Sequence, residues 1–204
     1  MPQISKIVLA SGNAGKLREF EQLFTPLGYE LRPQKEWAVP PIDELHPSFV
    51  ENALLKARHA SAVTGLPALA DDSGLSVNAL DGLPGVHSAR FAEKYGQGQG
   101  DSANNQLLLE KMQGVEDRSA CFVAALVLVR HPNDPLPLVA QGIWWGEIAR
   151  QPKGSNGFGY DPLFWLPKLQ CTAAQLSAPQ KNTLSHRALA LRQLIEQINA
   201  MPLA

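Results

Sequence analysis

The stretch Ala68-Leu69-Ala70-Asp71-Asp72-Ser73-Gly74 joins an apolar run to two adjacent carboxylates, a hydroxyl group and a glycine. Because successive residues of a strand point to opposite faces, Asp71 and Asp72 cannot both enter one pocket if the strand continues through them. A carboxylate at the end of a buried strand is costly unless a cation meets it. We therefore expect a divalent metal, a lysine or both nearby. The alternative is a plain turn, since Asp, Ser and Gly all favour turns.

The residues before this stretch predict two strand–helix units. Lys6–Ala10 is a short apolar run with β-branched residues, which indicates a buried strand, and helical spacing follows it. Ser48 and Glu51 have the spacing of a capping box, which predicts a second helix that ends at Gly65. Leu66–Ala70 is then a second buried strand. Alternating strands and helices predict an α/β layered fold.

The turn after the first strand has the composition of a phosphate-binding loop. Ser11-Gly12-Asn13-Ala14-Gly15-Lys16 leads into a helix N-terminus, where backbone N–H groups and the helix dipole favour an anion. Lys16 adds a full positive charge. The turn is not a Walker A loop, because too few residues separate Gly12 from Gly15 and neither Ser nor Thr follows the lysine. A plain strand-to-helix turn is the alternative.

The second half of the chain predicts a hairpin. Ser119–Arg130 is the longest apolar run and indicates a central strand, and Leu136–Ile148 returns as its partner. Such a hairpin makes part of the sheet antiparallel, so we expect a mixed sheet with a second, smaller lobe. Trp144 and Trp145 point to opposite faces of the partner strand, so at least one is expected to be exposed or packed against another subunit.

Two further segments carry chemistry. Gly157-Phe158-Gly159-Tyr160-Asp161 is a glycine loop in which an aromatic ring can stack on a planar ring and a carboxylate can accept hydrogen bonds from ring N–H groups. A hairpin loop with incidental aromatic residues is the alternative. Lys181, His186 and Arg187 lie at or just before the N-terminus of the last helix, with Ser185 as its N-cap. These cations are suited to an anion or the edge of a purine.

Composition narrows the class of protein. The 204 residues carry a formal net charge of −1, which does not support a general nucleic-acid or membrane-surface binder. Two cysteines, Cys121 and Cys171, are too few for a disulfide framework or a zinc site. The chain has neither a signal-peptide pattern nor an apolar run of membrane-spanning length. We expect a cytoplasmic protein with one domain, residues 1–204, made of two lobes.

Together these parts describe a site for a nucleoside triphosphate. Carboxylates can hold magnesium, cations can hold a polyphosphate and an aromatic ring can hold a base. The spacing of the residues does not say which phosphate bond is attacked.

Six motifs follow one another between about residues 6 and 198: Ser11–Lys16, Ser48–Ala53, Ala70–Leu75, Leu83–Arg90, Gly157–Pro162 and Lys181–Arg187. Taken together, they resemble the Ham1 (RdgB-type) family of inosine and xanthosine triphosphate pyrophosphatases. The resemblance implies magnesium-dependent hydrolysis of dITP, ITP and XTP to the monophosphate and pyrophosphate by a homodimer. It also implies a mixed central sheet flanked by helices, with an active-site cleft between two lobes.

The resemblance assigns roles to single residues. Asp72 is implied to be the catalytic carboxylate and a metal ligand, with Glu44 as the second ligand and Asp71 in a supporting role. Ser73 is implied to contact the substrate. Ser11–Lys16 is implied to hold the triphosphate. The residues implied to surround the base and phosphates are Phe158, Gly159, Tyr160, Asp161, Lys181, His186 and Arg187. One position departs from the family pattern: His46 stands where the family usually has glycine, two residues after the metal-binding Glu.

The chemistry is compatible with these roles. Attack of water on the α-phosphorus develops negative charge that magnesium, Lys16 and Lys181 can neutralise, and an ionised Asp72 can orient or deprotonate the water. Donors on His186 and Arg187 would pair with O6 of a 6-keto purine and be left unpaired by adenine. Two alternatives stay open at this point: a Maf-like nucleotide pyrophosphatase of another specificity, and a non-catalytic nucleotide-binding protein.

Overall fold

The structure is a computed structural model that describes residues 6–12, 14–24 and 28–200. Its strands are β1 (Lys6–Ala10), β2 (Glu30–Pro33), β3 (Ala68–Val77), β4 (Ser119–Val129), β5 (Leu138–Ile148), β6 (Phe164–Leu166) and β7 (Cys171–Thr172). Its α-helices are α1 (Ala14–Phe24), α2 (Phe49–Thr64), α3 (Phe91–Lys94), α4 (Gly100–Lys111), α5 (Ala178–Leu184) and α6 (His186–Ala200). Short 3₁₀ helices cover Gln34–Trp37, Asn78–Leu80, Gly85–Arg90 and Ala173–Gln175.

The strands form one mixed sheet in the order β2-β1-β3-β4-β5-β6-β7. Strand β1 pairs in parallel with β2 and β3, whereas β6 pairs antiparallel with β5 and β7. The predicted mixed α/β fold is confirmed. In the part of the chain that the structure describes, no helix is long and apolar enough to cross a membrane.

The chain divides into two compact units. Unit 1 takes in the chain up to Asp72, Ala124–Gly142 and the chain from Arg187, and unit 2 consists of Ser73–Val123 and Ile143–His186. The predicted cleft between two lobes stays a prediction.

Unit 1 has a hydrophobic core on each face of its strands. On one face Ile7 and Leu9 of β1 pack with Phe20 of α1 and Leu194 of α6. On the other face the small side chains of α2 pack on the sheet, and this second core includes Val8, Ala10, Ala53, Ala57, Ala60, Ala125 and Val127. Because these strands are covered on both faces, they are apolar throughout, which explains the continuous apolar runs in the sequence.

Helix α2 begins and ends where its sequence predicts. The Ser48 hydroxyl accepts a hydrogen bond from the Glu51 N–H, and Gly65 closes the helix in the left-handed conformation at φ 69°. The start of α2 matters for function because it positions Asn52 and Lys56, which lie one turn apart near the N-terminus of the helix.

Strand β3 does not end at Ala70. It continues through Val77, so the turn considered for Asp71–Gly74 is wrong. The strand can continue through Asp71 and Asp72 because each carboxylate has a cationic partner, Lys16 for Asp71 and Lys56 for Asp72. Gly74 serves close packing rather than a turn, because a Cβ there would clash with the Ser88 side chain and the Gly85 carbonyl.

Unit 2 is built around aromatic contacts. Phe122 of β4 lies 4.5 Å from Phe164 of β6, and Trp144 of β5 lies 5.2 Å from the same ring, between ring centroids. Trp144 is 8% exposed and its neighbour Trp145 is 63% exposed, which confirms that the two indoles differ in environment. Two α-helices of unit 2 were not predicted from the sequence: α3, and α5, which contains Lys181 and ends before Ser185.

Candidate active site

Strand β3 carries Asp71 and Asp72 on opposite faces. Leu69 belongs to the core covered by α1 and α6, whereas Ala68 and Ala70 belong to the core covered by α2. The same alternation continues into the two carboxylates, so Asp71 faces α1 and α6 and Asp72 faces α2. The prediction that the two carboxylates do not share one pocket is confirmed, because Asp71 contacts Lys16 and Arg187 whereas Asp72 contacts Lys56.

Asp71 is buried among cations of unit 1. Its Oδ2 lies 3.0 Å from Lys16 Nζ of α1 and 3.1 Å from Arg187 Nε of α6. The other side of the Arg187 guanidinium donates to Glu19 Oε2 at 2.8 Å. Burial opposes ionisation of Asp71, but Lys16 and Arg187 outweigh it and hold the pKa of Asp71 well below its usual range. Asp71 is therefore an ionised internal partner that joins two helices to the strand.

Asp72 meets a different set of partners on α2. Its Oδ1 lies 2.8 Å from Lys56 Nζ, and its Oδ2 accepts a hydrogen bond from Asn52 Nδ2 at 3.4 Å. Burial raises the pKa of Asp72 above its ordinary value, against the opposing effect of Lys56. A carboxylate whose charge is disfavoured by burial is a better proton acceptor than an exposed one.

Lys56 joins Glu44 to Asp72. Its Nζ lies 2.7 Å from Glu44 Oε1 and also donates to the Asp71 carbonyl at 3.0 Å. Burial lowers the pKa of Lys56, but Asp72 and Glu44 outweigh burial and leave it above the ordinary value. Two carboxylates that are far apart in sequence thus share one ammonium.

His46 departs from the family pattern, yet Glu44, two residues before it, still contacts Lys56 beside Asp72. The Asn52 side chain accepts from the His46 N–H and donates to the His46 carbonyl, each at 3.1 Å. His46 does not adopt positive φ, so the backbone there makes no demand for glycine. Asn52 therefore anchors both the segment that carries Glu44 and the carboxylate of Asp72.

The predicted phosphate-binding turn is described in part. Asn13 lies outside the described residues; Ser11 is half-buried, Gly12 is exposed, and α1 begins at Ala14. Gly15 and Lys16 are in the first turn of α1. Burial lowers the pKa of Lys16 despite the neighbouring Asp71 carboxylate. Binding of a triphosphate by Ser11–Lys16 stays a prediction.

The glycine loop lies in unit 2 and is held by its own carboxylate. Asp161 Oδ2 accepts from the Phe158 N–H at 2.9 Å and lies 2.6 Å from Lys181 Nζ. The same ammonium lies 5.0 Å from the centroid of the Phe158 ring. Asp161 is 2% exposed. The partners of its carboxylate include its own loop and Lys181, and the predicted contact with a ring N–H stays a prediction.

Two more predicted residues of unit 2 are buried. The Tyr160 hydroxyl donates to the Ser88 carbonyl at 2.9 Å. The His186 ring stacks on Phe122 at 4.8 Å with 13° between the ring planes, and Trp144 lies 6.4 Å from the same imidazole. Gly159 takes φ 64°, and Ser73, the first residue of unit 2, is half-buried.

The structure thus places the predicted residues in two groups. Unit 1 holds Ser11, Gly12, Ala14, Gly15, Lys16, Glu44, Asp72 and Arg187, and unit 2 holds Ser73, Phe158, Gly159, Tyr160, Asp161, Lys181 and His186. Lys56 and Asn52 contact Asp72 although neither was among the predicted site residues; their i, i+4 spacing in a capped helix was the available signal. Nothing in the sequence marked Glu19.

The carboxylates of unit 1 fit a divalent cation. Glu44 and Asp72 both contact one ammonium, so they are placed to share one positive charge. Magnesium takes oxygen ligands and is commonly held by one or two carboxylates together with waters and substrate phosphates. Within residues 6–12, 14–24 and 28–200, no group of three or more His, Cys, Asp or Glu side chains is clustered as a metal site would be. A magnesium site at Glu44 and Asp72 stays a prediction.

Comparison with known proteins identifies the family. The model of the Ham1 family matches residues 7–197. This chain belongs to the Ham1 family. The resemblance drawn from the six motifs is confirmed.

Relatives from this family are similar over almost their whole length. The dITP/XTP pyrophosphatase of Bordetella pertussis is 58% identical over 199 residues, which cover 98% of this chain and 93% of that protein. The dITP/XTP pyrophosphatase of Aromatoleum aromaticum is 55% identical, with 98% and 99% covered.

Solved Ham1 structures share the fold. A HAM1 protein from Coxiella burnetii superposes with a TM-score of 0.87 at 49% identity, covering 95% of this chain and 98% of that one. The Ham1 protein of Staphylococcus aureus gives a TM-score of 0.83 at 40% identity, with 97% and 100% covered.

Proposed function

We propose that this protein hydrolyses non-standard purine nucleoside triphosphates (dITP, ITP and XTP) to the nucleoside monophosphate and pyrophosphate, and so cleanses the nucleotide pool. The observation that carries the proposal is the named activity of relatives that share more than half of their residues with this chain over nearly their full length. Two features support it because they have the chemistry that such a substrate requires. One is the charged cluster of unit 1, formed by Lys16, Glu44, Lys56, Asp71 and Asp72. The other is the glycine loop of unit 2.

The triphosphate is assigned to unit 1. Lys16 and Lys56 carry charges suited to phosphoryl oxygens, and each is already held by a carboxylate, which keeps it in place before substrate arrives. The Ser11–Lys16 segment, which leads into the N-terminus of α1, is the proposed binding segment for the triphosphate.

Asp72 is the proposed catalytic carboxylate. It would orient the attacking water and accept its proton, and Asn52 and Lys56 would hold the carboxylate in position for that step. Asp71 is assigned a structural role, because its carboxylate is committed to Lys16 and Arg187.

Glu44 and Asp72 are the proposed magnesium ligands. Bound there, the metal would offset negative charge on the phosphoryl oxygens and on the leaving pyrophosphate. Lys56 would then retain the Asp71 carbonyl as a partner while it shares the two carboxylates with the metal.

The base is assigned to unit 2. The half-buried Phe158 ring is the proposed stacking partner of the purine, and Tyr160 and Asp161 support the loop from inside the unit. His186 is the proposed donor to O6, which would favour 6-keto purines over adenine. Arg187 belongs to unit 1 and contacts Asp71 and Glu19, and its predicted contact with the base stays a prediction.

The deciding experiment measures pyrophosphate release from dITP, XTP, dGTP, dATP and dTTP with and without Mg²⁺. We expect release from dITP and XTP that depends on Mg²⁺, slower release from dGTP and little from dATP or dTTP. Equal turnover of dATP and dITP would contradict the proposed specificity. Preference for dTTP would favour a Maf-like activity, and orthophosphate in place of pyrophosphate would contradict attack at the α-phosphorus.

We also propose that the protein is a homodimer. Ile143 and Trp145 lie on the same face of β5 in unit 2 and are 46% and 63% exposed, so this face presents large apolar side chains to solvent. Sedimentation velocity should give the mass of two chains for the wild type and of one chain for Trp145→Glu. A monomeric wild type would overturn this proposal.

A further inference from the structure

One residue of the glycine loop is bonded on both of its peptide groups to helix α4, and all the groups involved belong to unit 2. The Gly159 N–H donates to Asp101 Oδ2 at 2.6 Å, and the Gly159 carbonyl accepts from Asn105 Nδ2 at 2.8 Å. Asp101 and Asn105 are four residues apart on α4 and therefore share one face of that helix. We call these two side chains the Gly159 clamp.

The clamp determines the conformation of the loop at this point. The two hydrogen bonds involve the peptide groups on either side of the Gly159 Cα, so together they define both of its backbone dihedral angles. Gly159 takes φ 64°, and among the described residues, its two chain neighbours aside, none has an atom within 4 Å of the position that a Cβ would occupy. The two hydrogen bonds to α4 are therefore the contacts to which we assign the conformation of this residue.

The neighbouring Phe158 depends on the same geometry. Its N–H donates to Asp161 Oδ2 at 2.9 Å and its carbonyl accepts from the Asp161 N–H at 3.3 Å. Its ring lies 5.0 Å from Lys181 Nζ. The Phe158 ring is thus attached to a backbone whose next peptide group is held by Asp101, so moving Gly159 would redirect the ring.

We propose that Asp101 and Asn105 are positioning residues for the nucleobase: by holding Gly159 they preorganise the Phe158 ring for stacking. The inference rests on the proposed function only in that Phe158 contacts the base. A loop that is ordered before binding loses less conformational entropy when the ligand arrives, so the clamp contributes to affinity without touching the ligand.

The test compares two ligands on Asp101→Ala/Asn105→Ala. Calorimetry with dIMP reports binding through the base and one phosphate, and tripolyphosphate reports binding through phosphates alone. We expect the Kd for dIMP to rise about tenfold, since ordering one additional backbone residue on binding costs roughly that factor. The Kd for tripolyphosphate should stay within about twofold of the wild-type value. For dITP hydrolysis, KM should rise far more than kcat falls.

Matched variants separate positioning from general damage. Asp101→Asn keeps an acceptor oxygen and should restore most of the dIMP affinity that Asp101→Ala loses. Ser102→Ala alters an exposed hydroxyl on the same helix and should leave both affinities unchanged. Amide exchange at Gly159 should be faster in the double variant than in the wild type or in Ser102→Ala.

The outcomes are distinguishable. A dIMP affinity no weaker in the double variant than in Ser102→Ala, or an equal loss of tripolyphosphate affinity, overturns the clamp. So does a wild type that does not bind dIMP. A wild type that binds dIMP but releases no pyrophosphate from dITP contradicts the proposed function alone, and the dIMP affinities then still decide on the clamp.

Discussion

The charged cluster of unit 1 and the glycine loop of unit 2 place their side chains by different means. In unit 1, Asp71 and Asp72 are aimed by the two-residue period of β3, and regular helices bring Lys16 and Lys56 to them. In unit 2, Phe158 stands on an irregular loop that is held by hydrogen bonds to Asp161 and to α4. The first arrangement is stabilised by electrostatics within a packed core, and the second by backbone geometry.

We expect substitutions on the two faces of β3 to differ in effect: a change at Asp72 should mainly lower activity, and a change at Asp71 should mainly lower stability. Asp72→Asn should lower kcat for pyrophosphate release by ~10²–10⁴, because it removes the proton acceptor. The free energy of unfolding should change by less than about 1 kcal/mol, since burial already disfavours the charge of Asp72. Wild-type turnover in Asp72→Asn would contradict the catalytic assignment.

The opposite face should show the opposite balance. Asp71→Asn leaves the buried Lys16 and Arg187 without a carboxylate that faces them both, so we expect a loss of about 3–5 kcal/mol in urea unfolding. Activity then falls because the folded fraction and the position of Lys16 change. A stability equal to that of Asp72→Asn would show that the two faces do not differ.

Glycine substitutions in the loop should separate steric from conformational demands. Gly157 takes φ 77°, and a Cβ there would clash with the Asp161 carboxylate, so Gly157→Ala should cost about 2–4 kcal/mol. The control is Gly159→Ala. Gly159 has a similar φ of 64°, but among the described residues other than its chain neighbours no atom lies within 4 Å of an added Cβ, so a loss of about 1–2 kcal/mol is expected. Equal losses in thermal or urea unfolding would remove the steric argument.

The smallest expected effect is a loss of folding stability at alkaline pH that is due to Tyr160 in unit 2. Burial, assisted by the charge of Asp101, raises the pKa of Tyr160 above its ordinary value. The unfolded chain therefore loses this proton first, so the stabilisation is complete below about pH 10 and is lost as the pH rises further. Urea unfolding should show a steeper loss of stability above pH 10 for the wild type than for Tyr160→Phe. Parallel pH profiles would contradict the shift.

Local patterns predicted the parts of this molecule that depend on neighbours in sequence. The apolar runs identified β1, β4 and β5, the Ser48 cap marked the start of α2, and strand alternation separated Asp71 from Asp72. These succeed because hydrogen-bonding period and capping act over a few residues. The turn considered at Asp71–Gly74 is wrong because local composition does not show the cationic partners of the two carboxylates, which are distant along the chain.

The sequence alone thus determined the family, the mixed α/β fold and which residue types carry the chemistry, since six ordered motifs and the apolar periods are local information. Only the tertiary structure decided the partners: Lys56 shared by Glu44 and Asp72, Arg187 committed to Asp71 and Glu19, and Gly159 held by Asp101 and Asn105. Those contacts join residues that are distant along the chain, and their strength depends on burial. A local sequence pattern predicts neither which distant residues meet nor how deeply they are buried.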